Sequence, residues 1–270
     1  MRPRISVVMA AHNAATTLGQ AVRSLDEGDE HDYEVVVVDD GSTDDTAAIA
    51  AALARRDERV RVVQLPANRG AGAARNAGLA VARGGYVAIH DADDICCGNR
   101  LKRQADWLDR EPDWVISGQF RTIETSPALL SCGPTDPSGI RRRFQGGTMG
   151  LVHGASMFRS EYFARFGGYR EQFRRSQDFD LLLRGALIVS MSSLPDVVLL
   201  YRGGPSPSLT QRARRHYWRH RVLESNFVLL DSSTPWPILA RRCAVHLRSV
   251  KTSLSTTSAI QIHESHDEPQ

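Results

Sequence analysis

Residues 86–94 read YVAIHDADD, an apolar run of Tyr86, Val87, Ala88 and Ile89 that breaks into three carboxylates, Asp91, Asp93 and Asp94. Successive side chains of a strand alternate between faces, so Asp91 and Asp93 are expected to share one side at the strand's end. Two like charges held close are costly unless a cation or hydrogen-bond donors sit beside them. A hard divalent cation with oxygen ligands removes that cost and leaves positions open to phosphate oxygens. Alone, the pattern reads more readily as a solvated acidic turn, or as a helix N-cap formed by Asp94. The surrounding chain has to decide.

Upstream, residues 5–10 (ISVVMA) and 34–38 (EVVVV) have the length and β-branched content of buried strands. Between them Leu18, Ala21, Val22 and Leu25 recur at helical spacing. After Asp39-Asp40-Gly41-Ser42, either Ser42 or Thr43 can cap a helix that carries Ala47, Ile49 and Leu53. A strand at 60–65, a helix at 71–82 and the strand at 86–90 continue the alternation, which predicts an α/β fold with a largely parallel sheet. Ligands of such sheets sit at the carboxyl ends of the strands. Here those ends carry His12-Asn13, Asp39 to Ser42, and Asp91 to Asp94, so polar groups converge on one edge.

Downstream we predict a helix at 99–110, a strand at 114–120 and a mobile loop at 125–147, where Pro, Gly, Ser and Arg accumulate. A strand at 155–158 and a helix at 160–166 follow. Ser176-Gln177-Asp178 opens a helix with Phe179, Leu182, Leu183 and Ala186 inward, and 197–201 is the last strand. A basic helix is expected from Thr210 to about residue 230, and the polar stretch after Ser253 is expected to be disordered.

Composition narrows the function classes. The chain has 270 residues, 41% of them hydrophobic, enough to bury a full core as one large domain or two close lobes. A net charge of +3 is too mild to argue for nucleic acid. No stretch approaches the roughly 20 apolar residues of a membrane span, and no leader pattern precedes Ile5, so a cytoplasmic location is expected. Cys96, Cys97, Cys132 and Cys243 have neither zinc spacing nor a disulfide framework. The Rossmann fingerprint fails, because the first turn, Ala11-His12-Asn13-Ala14, holds no glycine.

The carboxylates suit a nucleotide held through metal. Asp40 can accept a base N–H, His12 can stack on a base, and Asp93 with Asp91 can hold a cation that bridges two phosphates. Arg75 adds positive charge beside them. Asp178, where a helix dipole stabilises its charge, is the candidate base for an incoming nucleophile, with Asp180 expected to face elsewhere. His153 is a weaker candidate for touching an acceptor. Each has a plainer reading: His12 a turn residue, Arg75 an ion-pair partner, Asp178 an N-cap, His153 a structural histidine.

PRISVVMAAHN at 3–13, VVVVDDGSTDDT at 35–46, NRGAGAARNAGL at 68–79, YVAIHDADD at 86–94 and SQDFDLLLRG at 176–185 together resemble the inverting glycosyltransferases of family 2. The resemblance covers about residues 3–210. It implies the GT-A fold, a Rossmann-like, mixed and mostly parallel sheet flanked by helices. It also implies a UDP-, GDP- or dTDP-sugar donor, Mn²⁺ or Mg²⁺, and a glycan or lipid-linked acceptor. Ala10, His12, Asn13, Asp40, Arg75 and Asp91 would then serve the nucleotide sugar, Asp93 with Asp91 the metal, and Asp178 would be the catalytic base. The expected organisation is a nucleotide half at 1–95, an acceptor half at 96–210, a basic helical extension at 211–252 and a tail at 253–270. Two departures matter. Gln177 stands where the family commonly has Glu, and Gly204 where it often has His, which leaves Arg202, Ser208 or Arg212 to meet phosphate charge. The basic arm suggests peripheral contact with an anionic membrane rather than with nucleic acid. A binding protein that has lost turnover, or a nucleotidyltransferase, remains an alternative.

Overall fold

The computed structural model describes residues 2–123, 128–202 and 209–226, the side chains of 209–216 excepted. Its strands are β1 (Ile5–Ala11), β2 (Tyr33–Asp39), β3 (Val60–Gln64), β4 (Tyr86–Ile89), β5 (Ile95–Cys96), β6 (Val115–Thr122), β7 (Met157–Arg159) and β8 (Met191–Tyr201). The helices are α1 (Leu18–Arg23), α2 (Thr46–Arg56), α3 (Ala71–Val81), α4 (Arg100–Arg110), α5 (Pro137–Gln145), α6 (Ser160–Phe166), α7 (Gln177–Ala186) and α8 (Leu209–Ser225). One eight-stranded sheet runs β3-β2-β1-β4-β7-β6-β8-β5. The pairs β1–β2, β2–β3, β1–β4 and β6–β8 are parallel, whereas β7 is antiparallel to both neighbours and β5 to β8. The sheet is therefore mixed and mostly parallel, as the resemblance implied. Because β7 reverses between β4 and β6, the carboxyl ends of β4, β6 and β8 still point to one edge.

The apolar runs explain the layering. In β1, Ile5, Val7 and Met9 enter a core with Leu18, Ala21 and Leu25, while in β2 Val36 and Val38 pack on the opposite face against Ala74 of α3. This is the period of two that places a strand between two helical layers. Gly78 lets α3 come down onto the sheet, since a Cβ there would lie 2.6 Å from Val8 Cγ1 and 3.1 Å from Val38 Cγ2. That close approach sets where the N-terminal half of α3 stands above the strand ends.

Three local expectations are corrected. The segment predicted as a loop at 125–147 contains α5, whose N-cap Asp136 accepts a bond from Gly139 N–H at 2.8 Å. Ile140 and Phe144 are its buried face, and Phe144 stacks on Phe179 at 5.9 Å. Two apolar residues among Arg141, Arg142 and Arg143 give too little periodicity to see. The N-cap of α2 is Asp45 rather than Ser42 or Thr43, and Asp44 accepts the Thr46 N–H at 3.0 Å. Asp94 caps no helix, because α4 begins at Arg100.

Residues 1–230 form one compact unit, so the start of the basic extension belongs to it: Val222 and Leu223 are buried and Arg219 lies 5.6 Å over the Phe179 ring. The remainder of the extension and the 253–270 tail lie outside the described residues. Among the described residues no helix is long and apolar enough to cross a membrane.

Arg100 ties the centre of the sheet together. Its fully buried guanidinium donates to the carbonyls of Ile89 (2.8 Å), Gly154 (3.0 Å) and Ser156 (3.2 Å), and its Nε to Gln104 (3.0 Å). It thus joins the end of β4 to the turn before β7. The Ser156 carbonyl keeps the Ile89 N–H at 2.9 Å, but Arg100→Met takes a donor from the Ile89 and Gly154 carbonyls and from Gln104, so we expect a loss of about 2 kcal/mol or more. Urea unfolding measures it, and a loss within ~0.5 kcal/mol would show that the carbonyls find other donors.

Candidate functional site

The chain leaves β4 at Ile89 and turns through Asp91–Asp94, with the Asp94 N–H donating to the Asp91 carbonyl at 3.2 Å. Since the strand has already ended, strand alternation does not govern these carboxylates, and each has a different environment. Asp91 Oδ1 accepts Arg75 Nη2 at 2.7 Å. Burial opposes its charge, but Arg75 and His153 hold its pKa below the ordinary value. Its other oxygen lies against Gly154, where a Cβ would come within 2.8 Å. Asp93 is exposed on the turn, and desolvation together with the Asp91 charge raises its pKa. Asp94 is buried. One of its oxygens accepts the Arg202 N–H at 3.0 Å, the other has no partner among the described residues, and burial pushes its pKa up to about 7. Arg202 also donates to the Asp93 carbonyl at 3.0 Å and to Gln20 at 2.8 Å, so the end of β8 is pinned to this turn.

The nucleotide-side residues gather at the ends of β1 and β2. Asp40 accepts the backbone N–H groups of Arg69 (2.8 Å) and Gly70 (2.9 Å) and so fastens the loop that leads into α3. A base could use only the lone pairs those bonds leave. His12 is exposed, with Nδ1 2.9 Å from the Asp40 carbonyl. Asn13 takes a left-handed backbone (φ 51°) and accepts the Thr43 N–H at 2.9 Å, while its own N–H donates to Ser42 at 3.0 Å. The side chain of Ala10 packs against the Val36, Val38 and Ala74 cluster, which leaves only its backbone for a ligand.

On the other side of the edge stands the first turn of α7. Ser176, also left-handed (φ 61°), precedes it, and Asp178 accepts the Phe179 N–H at 2.8 Å. Gln177 lies beside Gly72 of α3, its Cγ 3.5 Å from where a Cβ would stand. Asp178 is near enough to Arg75, His153 and Tyr169 to act on the charge of each. Asp180 does face away: it is fully buried and pairs with Arg184 at 3.1 Å and Arg170 at 3.4 Å. His153 is buried with Nε2 2.8 Å from the Tyr169 hydroxyl, and burial and Arg75 lower its pKa to about 4. Arg75 itself is 9% exposed, 5.6 Å over the Tyr169 ring, and its Nε has no partner among the described residues.

Asp91, Arg75, His153 and Asp178 therefore form one neighbourhood, while His12, Asn13 and Asp40 form a second along the same edge. Ser208 and Gly204 lie outside the described residues, as does the Arg212 side chain. Tyr169, Gly154 and Asp94 were not singled out as site residues by sequence. The only signal for Tyr169 was its place after Gly167-Gly168. Among the described residues no three His, Cys, Asp or Glu side chains are grouped to hold a metal. Asp93, exposed and repelled by the Asp91 charge, fits a hard cation that draws its other ligands from a substrate.

A family model described as Glycosyl transferase family 2 matches residues 6–167. Succinoglycan biosynthesis protein ExoO of Rhizobium meliloti is 44% identical over 107 residues, 40% of this chain and 30% of that protein. Putative glycosyltransferase EpsE of Bacillus subtilis is 30% identical over 189 residues, 67% of this chain and 66% of that protein. The chain thus matches between about a third and two thirds of these relatives' lengths. Among solved structures, S. aureus TarS 1-349 in complex with UDP-GlcNAc superposes with a TM-score of 0.75 at 20% identity, covering 95% of this chain and 76% of that one. Mannosyltransferase PcManGT from Pyrobaculum calidifontis, in complex with GDP-Man and Mn²⁺, gives 0.67 at 21% identity, covering 96% and 77%. At these identities the likeness is one of fold.

The raised pKa of Asp94 has a sign that can be measured. Its ordinary value is 3.8 and its folded value about 7, so the folded chain binds the extra proton between them. The stability it contributes is present below about pH 4 and is lost as pH rises through about 7. Asp94→Asn should therefore gain on the wild type across that window, by on the order of 2 kcal/mol in the presence of a chelator. A gap between the two unfolding curves that does not change with pH overturns the assignment.

Proposed function

The chain belongs to glycosyl transferase family 2, and on that premise we propose that it moves a sugar from a nucleoside-diphosphate donor to an acceptor hydroxyl with inversion. The observation that carries this reading is the meeting of the Arg75–Asp91 pair with Asp178 at one edge of the sheet, a charged anchor and a carboxylate base side by side. The names of ExoO and of the relatives beside it support a place in polysaccharide biosynthesis, with a glycan or lipid-linked acceptor. TarS with UDP-GlcNAc and PcManGT with GDP-Man support a UDP- or GDP-sugar, and dTDP-sugars remain within the proposal.

In this mechanism Asp178 takes the proton of the acceptor hydroxyl while that oxygen attacks the anomeric carbon. The bond from that carbon to the diphosphate oxygen breaks, and its electron pair leaves with the nucleoside diphosphate. Attack opposite the leaving group inverts the centre. Asp40, His12 and Asn13 frame the base, and Arg75 fixes Asp91 for the ribose or the metal. Asp93, with Asp91, would hold Mn²⁺ or Mg²⁺, which would supply Lewis-acid stabilisation for the charge on the leaving group. Arg202, already drawn to the Asp91–Asp94 turn, is the cation this chain offers where Gly204 replaces histidine. The basic stretch at 212–221 further suggests contact with anionic lipid at the inner face of a membrane, at about 1 kcal/mol per basic residue near the surface.

Three measurements test these proposals. A melting screen against UDP, GDP and dTDP with Mn²⁺ should raise the unfolding midpoint for one base, and chelation or Asp93→Asn should abolish the rise. With that donor, Asp178→Asn should lose turnover about a thousandfold while binding the nucleotide as before. Wild-type turnover in Asp178→Asn removes the base from this role. Co-sedimentation with anionic liposomes should occur at low salt and fade at high salt, and no binding at low salt discards the lipid contact.

A further inference from the structure

Asn76 follows Arg75 on α3, and its carboxamide grips the backbone of Tyr169, with Nδ2 also 3.5 Å from Glu171 Oε1. Nδ2 donates to the Tyr169 carbonyl at 2.8 Å and Oδ1 accepts the Tyr169 N–H at 2.8 Å. Donor meets acceptor in both directions, as between neighbouring strands, so the pattern also fixes which way the amide faces. The approach depends on the residues before Tyr169. Gly167 has a left-handed backbone (φ +75°), and a Cβ on Gly168 would overlap the Asn76 amide oxygen. Arg69 reinforces the contact at its outer rim through Glu171 at 3.0 Å.

The grip aims the buried Tyr169 ring. Its hydroxyl meets His153 Nε2 at 2.8 Å, and its face lies under the Arg75 guanidinium, which in turn holds Asp91 at 2.7 Å. One phenol therefore backs the anchor on the donor side and fixes the imidazole on the acceptor side. We infer that Asn76 is a positioning residue for transfer, setting the Arg75–Asp91 pair and His153 together by clamping the backbone of Tyr169. The inference rests on the transferase reading, and it assigns Asn76 and Tyr169 roles in that reaction without contact to the reacting atoms. Misplacing a site by about 1 Å costs on the order of a hundredfold in rate, so a clamp of this kind acts on turnover beyond its effect on folding.

Three variants separate the links. Asn76→Asp keeps the shape but turns an oxygen toward the Tyr169 carbonyl. Gly168→Ala pushes the same contact apart and leaves Asn76 intact. Tyr169→Phe removes only the hydroxyl on His153. With the donor found in the melting screen, Asn76→Asp and Gly168→Ala should each lower kcat about tenfold or more and weaken calorimetric binding of the nucleoside diphosphate with Mn²⁺ severalfold. Tyr169→Phe should lower kcat with that binding changed less than about twofold, and the Asn76→Asp/Tyr169→Phe double variant should lose less than the product of the single losses, because both act through one phenol. Losses that simply multiply, or wild-type kcat in Asn76→Asp, overturn the inference. Should the Asn76 and Gly168 variants not fold, Tyr169→Phe decides alone, and unchanged kcat there overturns it too. A wild-type protein that neither binds nor turns over any donor removes the transferase reading and this inference with it. A wild-type protein that does both, matched by its Asn76→Asp variant, removes the inference alone.

Discussion

The 2.7 Å ion pair between Arg75 and Asp91 is the contact on which the site's geometry turns. A buried pair of this kind adds little net stability, because both charges lose water, yet removing one partner leaves the other uncompensated. The turn it anchors carries three carboxylates within four residues. Beneath them another buried cation, Arg100, spends its hydrogen bonds on carbonyls, Gln104 and His90, so it supplies charge to the turn without a direct bond. Around these cations the three carboxylates still act on one another's charge. Asp93 and Asp94 both resist ionisation, and one Asp94 oxygen has no partner among the described residues. A further cation would relieve the repulsion at Asp93 directly, which gives physical content to a metal role for that residue.

Close backbone approach does the rest of the positioning. Gly78 seats α3 on β1 and β2, and Gly154 lets the chain before β7 pass against Asp91. Gly168 does the same for the contact with Asn76. At each point a methyl group would force a polar or apolar partner away. The carboxylates and cations are held in register by steric absences as much as by bonds.

This arrangement also blurs the two halves suggested by the order of motifs. The helix that carries Arg75 and Asn76 belongs to the nucleotide half, but its exposed edge is clamped to residues 168–171 and lies beside Gln177. The end of β8 returns to the Asp91–Asp94 turn through Arg202. Residues from both halves of the sequence consequently share a single framework, in which Tyr169 meets both Arg75 and His153.

Local pattern by itself determined the alternation of β1, β2, β3 and β4 with α1, α2 and α3, because buried strands and amphipathic helices leave periods of two and 3.6 that need no knowledge of partners. It also determined that polar residues crowd one sheet edge, and the order of its motifs marked the family. Periodicity failed at α5, where only Ile140 and Phe144 mark the buried face, and at the two-residue β5, too short to leave a period. Alternation by itself does not set the separate environments of Asp91 and Asp93, because the strand stops two residues before the first of them. Which carboxylate is paired, which is exposed and which is orphaned was decided only by the tertiary structure. So was the junction of Asn76, Tyr169, His153 and Arg75. Asn76 and Tyr169 lie 93 positions apart along the chain, and contacts at that separation are set by how α3 and the 167–171 turn pack, a relation that no local period records.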